Sequence, residues 1–127
     1  MPRRSISACA PVWLDQPEDH DYPAAASYLS LLVPPAKAAR TVTALRKAGP
    51  SQFKAKDIFR ASGLSLLGVS NSHVEKDRRK IAKGTPLSPL LLVRFPDLGR
   101  VVVADGYHRL CAVYGVDEDA LIPCRIV

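Results

Sequence analysis

Residues Arg100 to Gly115 read Arg-Val-Val-Val-Ala-Asp-Gly-Tyr-His-Arg-Leu-Cys-Ala-Val-Tyr-Gly. Three valines and an alanine form a short apolar run of the kind a buried strand uses, and Asp105-Gly106 interrupts it with turn chemistry. From Tyr107 the apolar residues Leu110, Val113 and Tyr114 fall at helical spacing, and Gly115 stands where a C-terminal cap belongs. The unit predicts strand, tight glycine turn, helix, with Asp105 as the helix N-cap. His108 and Arg109 then lie beside backbone N–H groups that a helix start leaves without partners. Free N–H donors, the positive end of the helix dipole and an arginine fork together make a site for phosphate or another anion.

Outward from that unit, the flanking segments predict an α+β domain. Leu90-Leu91-Leu92-Val93-Arg94-Phe95 is a continuous apolar run that suits a central strand buried on both faces, and Pro96-Asp97-Leu98-Gly99 turns it into the valine strand as a hairpin. Leu121 to Val127 is a closing strand in which Pro123 predicts an edge position or a bulge. Gln52 to Ile58 alternates as a half-buried strand, with Asp57 capping a short helical turn over Ile58-Phe59-Arg60. After a loop over Ala61 to Asn71, Ser70 or Ser72 is expected to cap a helix from about His73 to Lys83. Its narrow apolar stripe is Val74, Ile81 and Ala82, and its exposed face carries Lys76, Arg78, Arg79 and Lys80.

Upstream, Pro23 to Leu32 is an alanine-rich helix with proline at its first position, ended by Pro34-Pro35. Ala36 to Ala48 is a second helix with Ala39, Val42 and Leu45 on its apolar face and Gly49-Pro50 as its stop. The two form a helical hairpin. Met1 to Pro11 has little pattern and is expected as a loose end or an edge segment, followed by a Val12-Trp13-Leu14 anchor. Asp15 to Asp21, the one acidic patch, is expected as a solvated loop, from which a carboxylate and His20 could still reach the anion site.

Composition bounds these readings. The 127 residues suit one domain, and an apolar fraction of 47% supports a packed core. Within it, residues 1–50 are an N-terminal extension carrying the hairpin and residues 51–127 are the core. Cys9, Cys111 and Cys124 lack C-x-x-C spacing and cannot all pair, which argues against a disulfide framework or a zinc knuckle and for a reducing, cytoplasmic setting, with Cys111 and Cys124 in the core. No apolar run approaches a membrane span or a signal segment. A net charge of +6 favours acidic partners such as nucleotides or nucleic acid.

Taken in order, Lys-Asp-Ile-Phe-Arg, a polar loop, the charged helix Val74 to Lys83, Leu87-Ser88-Pro89-Leu90-Leu91-Leu92-Val93, Val102 to Ala112 and Ile122 to Val127 resemble the ParB N-terminal and sulfiredoxin superfamily over residues 52 to 127. The Asp-Gly-x-His-Arg element followed by Ile-Pro is the most specific part. The resemblance implies a small mixed sheet flanked by helices and a turn that holds nucleotide phosphates, with ATP, ADP or CTP and Mg²⁺ as the ligands. By position, Gly106, His108 and Arg109 would contact phosphate, in a turn that also holds Asp105 and Tyr107. Arg60 would match the arginine after the first strand, His73 a lysine position, and Lys76 and Lys80 hydroxyl positions.

Two departures narrow what the resemblance implies. Tyr107 stands where sulfiredoxins keep their cysteine, which argues against sulfinic acid reduction. The sequence stops at Val127 without the helix-turn-helix that follows in partition ParB proteins. A third branch, the free-serine kinases, needs an acidic base, for which Asp21, Glu18, Asp105 and Glu75 are all candidates. The expectation is a nucleotide- or phosphate-binding domain, either a pure binder or a phosphotransferase or NTP hydrolase. The alternative is a non-catalytic module that meets nucleic acid or a protein through the basic helix 73–83.

Overall fold

The computed structural model describes residues 10–68 and 71–127. The chain is α+β: a four-stranded mixed sheet in the order Ser51–Lys54, Leu121–Ile126, Leu90–Phe95, Arg100–Asp105, with helices on both faces. The elements are α1 (Asp21–Leu29), α2 (Pro35–Lys47), β1 (Ser51–Lys54), α3 (Ala55–Ser62), α4 (Ser72–Lys83), β2 (Leu90–Phe95), β3 (Arg100–Asp105), α5 (Tyr107–Val116) and β4 (Leu121–Ile126). Among the described residues no helix is long and apolar enough to cross a membrane.

The two faces of β2 organise two cores. Leu90 and Leu92 point to one side, where they meet Ile58 of α3, Val74 and Ile81 of α4, and Leu110 and Val113 of α5. Leu91 and Val93 point to the other, where the α1–α2 hairpin covers them with Ala25, Leu29, Val42 and Leu45. The run Leu90 to Val93 is buried throughout, as a strand covered on both faces must be. The N-terminal hairpin is therefore the second layer of the sheet. Arg125 of β4 ties it down, its guanidinium donating to the Ala48 and Asp15 carbonyls at 3.2 and 3.3 Å. Trp13 forms a parallel bridge with Leu87 and packs against the first core, the expected anchor.

Several expectations are corrected. The strand read over Gln52 to Ile58 stops at Lys54, and α3 begins at Ala55, because Ala55, Ile58 and Ser62 repeat at helical spacing and bury one face. Asp57 is thus a first-turn residue, and Lys54 holds the N-cap position. In α2 the buried set is Ala38, Val42 and Leu45, one position away from the expected Ala39. Asn71 caps α4, its Oδ1 accepting from the N–H groups of His73 and Val74 at 3.0 and 3.2 Å; Ser72 is the first helical residue and Ser70 lies outside the described residues. The helix after the glycine turn runs through Gly115 to Val116, with Asp117 as its C-cap.

β4 is not an edge strand. It lies between β1, to which it is antiparallel, and β2, to which it is parallel. Pairing with β2 starts at Leu90 opposite Cys124, one residue after Pro123. At the level of Pro123 the strand has a neighbour on one side only, which is how a proline is accommodated in an interior strand.

Candidate functional site

The glycine turn forms as expected, with its parts in different roles. Gly106 is the N-cap of α5 at φ 111°, a left-handed value that favours glycine, and no side chain caps the helix. A Cβ there would stand 2.7 Å from Leu90 Cγ and 2.9 Å from Arg109 Nη2, so the turn is pressed between β2 and the arginine. Asp105 is the last residue of β3 and does not cap. Its Oδ2 accepts from Arg109 Nη2 at 2.8 Å, one helical turn on. The first N–H groups of α5 remain uncapped by any side chain, and the dipole's positive end faces outward from the turn.

Arg109 also stands 3.9 Å from Asp21 Oδ2. Asp21 is the first residue of α1 and only 2% exposed. Its carboxylate accepts from the Ser88 hydroxyl and from the Glu18 N–H, and His20 Nε2 lies 3.4 Å from its other oxygen. Burial pushes the Asp105 carboxyl above its usual range and the neighbouring Asp21 adds to this, while the Arg109 guanidinium pulls the other way. Asp21, Asp105 and Arg109 thus form one partly buried charge cluster under the turn. The arginine's fork is aimed into that cluster more than into solvent.

A polar pocket of about 180 Å³ opens on the outer side of the same turn, lined by Asp105, Gly106, Tyr107, His108 and Arg109 and, across from them, by His73, Lys76, Asp77 and Lys80 of α4. The His73 and His108 rings are 4.8 Å apart at 39°, and Tyr107 flanks His108 at 5.5 Å. Among the described residues no carboxylate lies within ion-pair distance of Lys76 or Lys80. Burial, then the nearby His73 and Arg109, hold the His108 pKa below its ordinary 6.5, against an opposing pull from Asp77. On the other side of the turn a second depression, about 340 Å³, is lined by Ala24, Tyr28, Leu64, Val103, Ala104 and the residues Asp105 to His108. Tyr107 forms part of both and donates its hydroxyl to the Ser65 carbonyl.

Seven of the eight residues singled out from sequence therefore line one pocket: Asp105, Gly106, Tyr107, His108, Arg109, His73 and Lys76, joined by Lys80. Arg60 does not. It is an exposed residue of α3 paired with Asp57 at 3.6 Å and lines neither depression. Of the four acidic candidates, Asp21 and Asp105 come together, Glu75 pairs with Arg79 at 3.0 Å, and Glu18 contributes its backbone N–H. Ser88 is the residue that sequence reasoning did not single out. Asp21, a candidate base expected at the end of a solvated loop, is instead the buried first residue of α1, where an aspartate suits the helix dipole. Cys111 and Cys124 are buried as expected, and neither lines the pocket. No family model, no characterised protein and no solved structure is matched by this chain.

Proposed function

We propose that this chain is a nucleotide-binding domain that holds phosphates between the start of α5 and the basic face of α4. One observation carries this reading: His73, Lys76 and Lys80 line the same pocket as an uncapped helix start, although they come from a different helix. Two cationic lysines, two imidazoles and free backbone donors are an anion site by their chemistry. The second depression beyond Gly106, walled by Tyr28, Leu64 and Tyr107, offers the apolar and aromatic surface that a base or ribose needs. The resemblance to ParB N-terminal and sulfiredoxin-like domains supports the same ligand class.

In this reading His108, Lys76 and Lys80 contact phosphate, and Arg109 holds the turn through Asp105. Mg²⁺ would enter on the phosphates of ATP, ADP or CTP, with Asp77 and Asp105 as the carboxylates that line the pocket. Thiol chemistry has no support at this position. Cys111 is buried, and burial pushes its thiol above the ordinary value of 9.0. If the bound phosphate reacts, Asp105 is the carboxylate placed to serve as acceptor base, since it lines the pocket and burial raises its proton affinity. The rival reading, nucleic acid bound along α4, has less support. Arg79 is committed to Glu75, and Lys76 and Lys80 turn towards the pocket.

The test is thermal shift and calorimetry with ATP, ADP, CTP, GTP and pyrophosphate, with and without Mg²⁺. A ligand at a hundred times its Kd stabilises by about 2.7 kcal/mol, and the Lys76→Glu/Lys80→Glu double variant should lose that gain. No stabilisation by any of these compounds would overturn the proposal. Affinity for oligonucleotides that falls steeply with salt, without any effect of mononucleotides, would favour the nucleic-acid reading.

A further inference from the structure

The sheet has two edges, and they differ. β1 is four residues long and exposes Gln52 and Lys54 beside Phe53; its shortness and its lysine discourage pairing. β3 is six residues long and carries three consecutive valines, Val101 to Val103. Among the described residues, no backbone group of Arg100 to Asp105 bonds to anything on the side away from β2.

That edge lies at the bottom of a trough. A depression of about 280 Å³ runs along Arg100 to Val103 between Tyr28 and Leu32 of the hairpin layer on one wall and Ser62 and Leu64 of the α3 layer on the other. It adjoins the depression beside Gly106, with which it shares Tyr28, Leu64 and Val103, so the trough follows the whole of β3. Tyr28, Leu32, Leu64 and Leu98 are all exposed apolar side chains. At one end stands Arg100, whose guanidinium lies over Gly63 and has no carboxylate within ion-pair distance among the described residues.

From these features we infer that the β3 edge is a docking site for an extended peptide segment of a partner protein, which adds to the sheet as a fifth strand. The segment is about six residues long, since six residues of strand span roughly 20 Å. It is aliphatic or β-branched along its length, successive side chains facing Tyr28 and Leu32 on one wall and Leu64 on the other, and it carries an acidic residue opposite Arg100. Backbone bonds to β3 supply affinity, and the walls and Arg100 supply selectivity. This inference does not rest on the nucleotide reading: the stretch beside Arg100 to Val103 shares no residue with the phosphate pocket, although at its Gly106 end the trough shares Tyr28 and Leu64 with the depression given above to the base, where peptide and nucleotide would compete.

The experiment uses an array of octapeptides that alternate valine or isoleucine with threonine and carry one acidic residue at varied positions. Binding is read by fluorescence anisotropy, and amide hydrogen exchange is read on the full chain. The expected result is selection of peptides with the acid near one end, with slowed exchange of amides within Arg100 to Asp105. Backbone N-methylation of a bound peptide at alternate residues should weaken it at least tenfold in one of the two registers. Arg100→Glu should weaken acid-bearing peptides about tenfold and restore binding to peptides with lysine in place of the acid. Because Arg100 is exposed, that variant leaves the cores untouched. The inference is overturned if no peptide in the array binds, if the β3 amides exchange at the same rate with saturating peptide, or if N-methylation is without effect in both registers. It is also overturned if the trough proves to be closed by a second copy, seen as a dimer in sedimentation that Tyr28→Ser and Leu64→Ser dissociate.

Discussion

The Ser88 hydroxyl donates a hydrogen bond to the carboxylate of Asp21, 67 positions earlier in the chain. Both side chains are almost fully buried. The bond fixes the start of the helical hairpin to the residues that lead into β2, and it places the Asp21 charge under the Gly106 turn. Ser88→Ala removes a donor from a buried carboxylate, which costs about 1–3 kcal/mol. Urea unfolding should show a lower midpoint with an unchanged slope, and Ser88→Thr should recover part of the loss.

The Asp105 carboxyl sets a pH dependence of stability. Its pKa in the folded chain is raised above 3.8 by burial and by Asp21. A group whose folded pKa is raised contributes stability that is complete below the unfolded value and is lost as pH climbs through the folded one. From this group, stability therefore falls as pH rises from about 4 upward. Asp105→Asn keeps the neutral form at every pH, so the difference between variant and wild type in urea midpoint should grow in the variant's favour as pH rises. Arg109→Ala, which removes the opposing charge, should steepen the fall. A flat difference between Asp105→Asn and wild type across pH 4 to 7 would contradict this.

Two glycines should respond to alanine with opposite signs. Gly106 has a positive φ, and its added Cβ would press on Leu90 within the core, so Gly106→Ala should cost about 1–3 kcal/mol. Gly115 lies inside α5 without a positive φ, and its Cβ would meet only the end of the Arg78 side chain at 2.8 Å, which can swing away. Gly115→Ala should stabilise by about 0.5–1 kcal/mol through helix propensity. For a domain of this size the melting temperature moves roughly 3–5 °C per kcal/mol, which a thermal scan reads directly.

His108 gives the proposed phosphate site a pH signature. Its pKa is held below 6.5, so at neutral pH the imidazole is uncharged and becomes a cation only as pH falls. Affinity for pyrophosphate should strengthen on going from pH 7.5 to 5.5 in the wild type and change less in His108→Gln. Isothermal titration at both pH values, in buffers of different ionisation enthalpy, would also count the protons taken up.

Burial raises the Cys124 thiol to about 11 and Cys111 above its ordinary value. In a Cys9→Ser background both should resist a water-soluble disulfide reagent at pH 8 and react fully in urea. Reaction in native buffer should proceed at the rate of opening of the sheet core.

Much of the fold was legible because its signals are local. The unbroken apolar run at Leu90 to Val93 demands cover on both faces, and the Asp105-Gly106 break between valines and a helical pattern admits few alternatives. The errors fell where two local signals compete. Ala55 to Ile58 alternates like a strand and also repeats like a helix, and burial of Ala55, Ile58 and Ser62 against the first core decided for the helix. Pro123 reads as an edge residue, and only the stagger between β2 and β4 shows how an interior strand accommodates it.

The pocket between α4 and the start of α5 was partly legible for the same reason: the turn residues are contiguous, and Lys76 and Lys80 share a helix face by their spacing alone. What the sequence by itself determined is the strand, glycine turn and helix, whose unpaired N–H groups follow from helix geometry wherever that helix sits. Only the tertiary structure decided that Arg109 turns to Asp105 and Asp21, that Arg60 stands apart, and that β3 lies at an open edge. Each of these depends on which elements lie side by side, and charges and strand edges find their partners through space, at distances that order along the chain does not encode.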